Sequence, residues 1–424
     1  MEKILIISYF FKPCNMTAAN RTTYWSENFY RYNLYPIVIT RKWEKEINVL
    51  SDSSHKTSIG INLDKNERRA ICYLPYIGNI RDTIINKYGV NKFKILRKAL
   101  SFIELFFQNF FIYFLPYNNF YQQSRKILIE DKEIKKIIIS GNPFQQFFIG
   151  YLLKKEFDYI KWIADYRDEW TTHEVNSANT NSKFIHELEK RSEKKWTSNT
   201  SCITYVNEYQ LSNITDFINK TGYSISNGYE SDDIPLFQTK ADKLIITYSG
   251  TLYSHQKIEP FAFALRKLDK EISGLNIQIN LIGVELVEGT KERILKEFKG
   301  LEKYLYISKR IPKNEVEIVM ANSDALIVLQ GMNNIIDSKV YDYLPFQKPI
   351  ILCSNTNHLL ISLLNDTKLG VVAKDEKELY DNLKDLYYKK QNNIPLLNDV
   401  NLTEIKKYSR EAQTAKLANI IKNL

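Results

Sequence analysis

Short apolar runs alternate with stretches of helical periodicity along the whole 424-residue chain. That alternation predicts parallel strands covered by helices on both faces, a doubly wound α/β architecture. Lys3 to Ser8 opens as a buried strand, the loop Tyr9 to Asn20 leads to a helix from about Arg21 to Tyr32, and Pro36 to Thr40 follows as a second strand. Further strands are predicted at Ala70–Leu74, Lys136–Ser140, Tyr159–Ala164 and Ser201–Val206, with helices at Phe144–Lys155 and His186–Trp196. Residues 41–92 otherwise read as polar, variable loops. After a short strand and turn at Ser224–Gly228 and a polar link, Ser231 to Asp242, the alternation starts afresh. Strands are predicted at Lys243–Tyr248, Asn276–Ile282, Tyr304–Ser308, Ser323–Gln330 and Leu369–Ala373, and helices at Pro260–Leu268, Glu292–Phe298 and Glu376–Lys389. Asn401-Leu402-Thr403 opens a long last helix to Leu424. The length suits two domains of about 200 residues, divided as 1–233 and 234–400, with 401–424 as a C-terminal helix.

The densest stretch is Asp337 to Leu352. Asp337 or Ser338 is placed to cap a short helix in which Val340, Tyr341 and Leu344 are apolar at helical spacing. Pro345 is expected to end it, and Lys348-Pro349 leads into an apolar strand. The preceding strand puts the polar loop Gly331 to Ile336 at its carboxyl end, where open parallel sheets bind ligands.

Ser338-Lys339-Val340-Tyr341-Asp342-Tyr343-Leu344, followed by Lys348-Pro349-Ile350-Ile351, resembles the nucleotide-sugar segment of GT-B glycosyltransferases, specifically the retaining family-four enzymes that build bacterial surface polysaccharides. Asp165-Tyr166-Arg167-Asp168-Glu169-Trp170 resembles the Asp-Phe-Arg-Asp-Pro-Trp of many members, and Ser224 to Gly228 with Tyr229-Glu230 resembles their interdomain Asn-Gly-Phe-Asp. The resemblance implies two Rossmann-like domains facing a cleft and a final helix crossing back to the first domain. It implies transfer of a sugar from a nucleotide-sugar donor to a lipid-linked glycan, with anomeric configuration retained and no metal.

The resemblance puts Gly250, Thr251, Lys257, Arg310, Asn334, Ser338, Lys339 and Asp342 on the donor side. Asp342 would hold the ribose hydroxyls, because a carboxylate accepts two hydrogen bonds at once. Members carry Glu where this chain has Asp342 and Asn334, and a second cation, Arg, where it has Thr251. Lys339 or amides at the helix start near Ser338 would then join Lys257 in holding the diphosphate. Asp165, Arg167 and Asp168 are candidates to orient an acceptor hydroxyl and take its proton, or equally to clamp their own loop by a salt bridge. Asn20, Arg21 and Asn142 are candidates for the acceptor side, with a solvated Arg21 as the plain alternative. The first loop lacks the family's glycines, and Gly141-Asn142-Pro143 lacks its histidine.

Charge and composition change this little. A formal net charge of +10 suits an anionic partner and selects none, and without a zinc-finger, RNA-recognition or basic-zipper pattern nucleic acid is not expected. Cys14, Cys72, Cys202 and Cys353 lie far apart, which fits a reducing cytosol and implies neither disulfides nor zinc. The start, Met1 to Ser8, runs straight into strand pattern, so neither signal peptide nor anchor is expected. The protein is expected in the cytoplasm, at the inner face of the cell membrane, with no cofactor beyond the nucleotide sugar as co-substrate. Phe93 to Leu115 is the most apolar stretch, but from Ala99 to Leu115, where only Glu104 is charged, it falls short of the roughly 20 residues that span a bilayer. It reads either as a helix buried against the first sheet, or as one at the membrane interface with Lys92, Lys94, Arg97 and Lys98 near anionic headgroups. Two rival functions remain: a nucleotide-sugar epimerase on the same fold, and an inactive nucleotide- or glycan-binding partner.

Overall fold

The computed structural model describes residues 1–14, 16–44, 55–89, 91–110, 117–172, 183–230, 243–329, 336–353 and 356–424. Asn334, the link 231–242 and the end of the apolar stretch, 111–115, lie outside them. The chain forms two compact units, Met1–Ser226 with Gln413–Leu424, and Asn227–Ala412.

In the first unit β1 (Glu2–Ser8), β2 (Leu34–Arg41), β3 (Asn62–Lys65), β4 (Ala70–Leu74), β5 (Lys136–Gly141), β6 (Lys161–Tyr166), β7 (Cys202–Tyr205) and β8 (Gly222–Ser224) form one sheet in the order β3-β4-β2-β1-β5-β6-β7-β8. All pairings are parallel except β3 with β4. β1 is apolar at successive positions because both of its faces are covered. Ile4 and Ile6 pack with Trp25, Phe29, Leu417 and Ile421, whereas Leu5 and Ile7 share a core with Phe120, Leu128 and Phe147. The covering helices are α1 (Thr17–Asn28), α2 (Ile80–Tyr88), α3 (Lys94–Phe110), α4 (Asn118–Glu130), α5 (Gln146–Glu156), α6 (Lys183–Thr197) and α7 (Glu208–Ile218).

In the second unit β9 (Leu244–Ser249), β10 (Ile277–Ile282), β11 (Leu305–Ser308), β12 (Ala325–Val328), β13 (Ile350–Cys353) and β14 (Gly370–Ala373) form an all-parallel sheet in the order β11-β10-β9-β12-β13-β14. Its helices are α8 (Glu259–Glu271), α9 (Thr290–Glu297), α10 (Lys313–Ala321), α11 (Ser338–Tyr343), α12 (His358–Asp366), α13 (Glu376–Gln391) and α14 (Leu402–Lys407), and α15 (Arg410–Lys422) starts here but belongs to the first unit from Gln413 on. The expected pair of parallel-sheet α/β domains is present.

The helix at 338 ends at Tyr343, just before Pro345 as expected, and a single tighter turn, Leu344–Phe346, leads to Gln347 in the left-handed region. Three expectations need correction. The stretch 41–92 contains β3 and α2 besides β4, and α2 starts at a capping box in which Asn79 and Asp82 exchange side-chain and backbone hydrogen bonds. The last helix is broken: the Tyr229 amide donates to Tyr408 (3.1 Å) and the Arg410 amide to Tyr229 (2.7 Å), so an extended residue replaces helical partners at Tyr408–Ser409. Gly228 makes that approach possible, since at φ 65° a Cβ would lie 2.7 Å from the Tyr408 carbonyl oxygen. Finally, α3 is not a buried helix: none of its described side chains is buried.

Candidate functional site

In the first unit the sequence motif falls at the carboxyl end of β6. Asp165 is fully buried and accepts three hydrogen bonds, from Arg21 Nη2 (2.7 Å), the Ser140 hydroxyl (2.9 Å) and the Thr204 hydroxyl (2.7 Å). Arg21, also buried, donates its other terminal nitrogen to the Ile225 carbonyl and lies over the Trp25 ring. A carboxylate and a guanidinium shut away from water survive only as a well-bonded pair. Asp165 and Arg21 therefore join β6, α1, β5 and β7, and the alternative of a solvated Arg21 is overturned by its burial. Arg167, half-buried, donates from Nε to the Gly141 carbonyl (2.7 Å) and from Nη2 to that of Asn142 (2.8 Å), with its guanidinium 5.4 Å from the Phe10 ring centre. It is the clamp of the 141–143 loop, and its bonds run to that loop's carbonyls. Asp168 and Asn142 are exposed, and Asn20 is half-buried. Those three remain able to meet a ligand.

Reading the sequence alone missed what fixes the next residues. Glu193 of α6 is buried and accepts hydrogen bonds from the Tyr166 hydroxyl (3.0 Å), the Thr171 amide (3.1 Å) and the Thr171 hydroxyl. Burial pushes its carboxyl up to about 7, against the pull of those donors. Trp170 stacks flat on Phe144 with ring centres 5.0 Å apart.

In the second unit the donor candidates gather at the carboxyl ends of β9 to β12. Tyr343, buried on α11, accepts the Ser249 amide (2.9 Å) and so ties α11 to the end of β9. One turn earlier Lys339 donates from Nζ to the Tyr248 hydroxyl (2.7 Å), and the same nitrogen lies 3.7 Å from where a Cβ on Gly250 would stand. Gly250 has φ 109°, a conformation that leaves the chain bare on the side facing this lysine. Burial lowers the Lys339 ammonium from its ordinary value, and Asp337 opposes that. Asp337 begins α11 without capping it by a side-chain bond. Its carboxylate instead accepts from Gln256 Nε2 (3.2 Å), which also bonds the Leu329 carbonyl (2.9 Å).

Asp342 is half-buried and, among the described residues, makes no hydrogen bond or ion pair. Burial raises its carboxyl, Arg410 and Lys313 hold it down, and Glu317 and Glu230 push it further up. Those two cations are engaged by Glu230, at 2.9 Å and 2.8 Å. A shielded acid with its neighbours already committed is a ready acceptor for an incoming donor. Lys257 is exposed and makes no contact of either kind among the described residues, Ser338 and Thr251 are half-buried, and Arg310 follows β11 with its Cα 3.8 Å from where a Cβ on Gly283 would stand. The structure thus groups Gly250, Thr251 and Lys339, sets Asp342 one turn further along α11, and leaves Lys257 in solvent. Lys348, of the Lys-Pro signature, is structural: buried, it donates to the carbonyls of Ala321 and Ser323 at the end of α10. Sequence reasoning also missed Gln256 and Arg293, the latter donating to the carbonyls of Tyr253 (3.1 Å) and Ser254 (2.9 Å) and so shaping the loop before Lys257. No group of three or more potential metal-binding side chains occurs among the described residues.

No protein-family model matches the chain, and no curated protein matches it by sequence. Solved structures do. Sucrose-phosphate synthase from Thermosynechococcus elongatus superposes with a TM-score of 0.62 at 12% identity, over 100% of this chain and 99% of its own. The fold is GT-B. HepE from Anabaena, solved in complex with UDP and glucose, gives 0.58 at 10% identity over 100% of both chains. The catalytic domain of starch synthase IV from Arabidopsis thaliana, bound to ADP and acarbose, gives 0.58 at 9% identity, with 99% of each chain covered. At such identities the likeness carries the GT-B fold alone.

Proposed function

We propose that this protein is a glycosyltransferase that moves a hexose from a nucleotide-sugar donor to a lipid-linked glycan in surface polysaccharide synthesis, with anomeric configuration retained. The observation that carries the reading is Asp342, a half-buried carboxylate without a partner among the described residues, one turn along α11 from a shielded lysine that faces a bare glycine turn. A ribose offers Asp342 two hydroxyl donors, and a diphosphate offers Lys339 an anion in direct contact beside the nearby Asp337 carboxylate. The neighbours of the same fold bound to UDP and glucose, or to ADP and acarbose, support that choice of ligand. Lys339 takes the place of the cation that the resemblance leads one to expect at Thr251. In the reaction the bond from the anomeric carbon to the diphosphate breaks, and its electrons leave on the phosphate oxygen. The acceptor hydroxyl oxygen bonds the same carbon and passes its proton to the departing phosphate oxygen. Positive charge held near the departing diphosphate lowers the barrier to that departure, and Lys339 supplies it without a metal.

A panel of nucleoside diphosphates and nucleotide sugars, read by thermal shift, tests the donor half. One base should raise the melting temperature of the wild type, and Asp342→Ala should remove most of that rise. A panel that shifts nothing, or a shift indifferent to Asp342→Ala, would refute the site. Release of nucleoside diphosphate that depends on a glycan acceptor is expected of a transferase. Turnover of the donor alone would indicate an epimerase, and binding without turnover an inactive partner.

A further inference from the structure

Helix α3 is amphipathic in the reverse of the usual sense. Ile95, Leu96, Ile103, Phe106 and Phe107 are 86%, 50%, 48%, 47% and 49% exposed, and Ala99 between them is exposed as well. At 100° per residue these six fall within an arc of roughly 120° on one side of the helix. The side turned to the protein is polar. Arg81 of α2 donates to the Ser101 hydroxyl (2.7 Å) and pairs with Glu104 (3.7 Å), whose carboxyl is raised by burial. A surface helix ordinarily buries its apolar stripe and wets its polar one, whereas here the apolar stripe stays exposed among the described residues. Lys87, Lys92, Lys94 and Lys98 are exposed at and before the amino-terminal half of α3, and the only acid from residue 84 to 107 is Glu104, already paired with Arg81. Among the described residues no helix is long and apolar enough to cross a membrane.

We infer that α3 lies on the surface of an anionic bilayer, its apolar stripe sunk among the lipid headgroups and first acyl carbons and its flanking lysines on the lipid charges. An apolar strip of several turns bordered by lysines matches what such an interface offers, a hydrocarbon boundary beneath a negative surface. A hydrophobic protein partner would complement the stripe but not the lysines. The inference stands on the helix alone and holds whether or not the transferase reading does.

The test is co-sedimentation of the full chain with vesicles of phosphatidylcholine alone and of phosphatidylcholine with phosphatidylglycerol, at low and high salt. The wild type should pellet with the anionic vesicles at low salt and largely leave them at high salt, because exposed charge pairs are screened. Changing Ile95, Ile103, Phe106 and Phe107 together to Ser should weaken binding by about tenfold or more with the melting temperature unchanged, since those side chains are outside the core. Changing Lys92, Lys94 and Lys98 to Gln should weaken binding to the anionic vesicles by about tenfold or more and abolish its salt dependence. Absence of binding by the wild type, or serine-variant binding equal to wild type, overturns the proposal. A serine variant that melts well below the wild type would mean that the stripe packs on the protein. A wild-type dimer that this variant converts to monomer, without vesicle binding, would mean that a second copy covers the stripe.

Discussion

Asp165 ends a central strand of the first unit, fully buried, with a guanidinium and two hydroxyls donating to it. Asp342 lies in a short helix of the second unit, half-buried, with no donor among the described residues. Both stand in motifs that stood out in the sequence, and both are acids withdrawn from water. They differ in whether the fold itself supplies the compensation that burial demands. Where it does, the acid is part of the scaffold; where it does not, the acid is available to a ligand. Removing each should therefore have opposite consequences.

The largest effect belongs to Asp165. Asp165→Ala leaves Arg21 buried without its counter-charge and should destabilise the protein by about 3–5 kcal/mol. Urea unfolding measures this. A loss below about 1 kcal/mol would mean that water or another acid reaches Arg21, and the scaffold role would fall.

Glu193 sharpens the contrast, because it is a buried carboxylate with hydrogen-bond donors and, among the described residues, no paired cation. Its folded-state value of about 7 lies above the ordinary 4.5. Between those pH values the folded state holds a proton that the unfolded chain has lost, so its contribution is complete below about pH 4.5 and disappears as pH rises through about 7. The change is on the order of 3 kcal/mol. Glu193→Gln should flatten that part of the stability–pH curve, and a curve of unchanged slope would show that the carboxylate is ionised at low cost.

How much of this could be read beforehand depends on the separation along the chain. The parallel strands announced themselves as short apolar runs because each is covered on both faces, and the end of β12 pointed to the donor side. Arg21 and Asp165, in contrast, are 144 positions apart, and nothing local in either segment says that they meet. Glu193 sits in a charged helix where one more acid carries no mark. Helix α2 was legible in principle, since Asn79 and Asp82 stand three apart, but the polar stretch around it masked the cap. Lys339 emerged as a candidate from the missing cation at Thr251, and its hydrogen bond to Tyr248 and its place beside Gly250 could come only from the fold.

The complementary prediction concerns Asp342 itself. Asp342→Ala should weaken nucleotide binding by about 1–3 kcal/mol, the scale of losing a charged hydrogen-bond partner. Stability at neutral pH should be unchanged or higher: a carboxyl raised by burial costs the folded state as it ionises, and the alanine removes that cost. Calorimetry of binding beside thermal unfolding reads both quantities. A variant that loses stability as Asp165→Ala does would place Asp342 among the scaffold acids.

The smallest expected difference separates the two lysines. Lys257→Ala removes an exposed ammonium that makes no hydrogen bond or ion pair among the described residues, whereas Lys339→Ala removes one that is half-buried and fixed on the Tyr248 hydroxyl. A diphosphate beside Lys339 interacts with less screening than one reached by a solvated side chain. Nucleoside diphosphate affinity should therefore fall by about 1–2 kcal/mol for Lys339→Ala and by well under about 1 kcal/mol for Lys257→Ala. Adding salt should erode the Lys257 effect first. If both lysines share the diphosphate, the double variant should lose clearly more than Lys339→Ala alone. Equal losses for the two single variants would mean that the loop after β9 carries Lys257 inward when nucleotide binds, and a Lys339 variant with wild-type affinity would end its assignment to the phosphates.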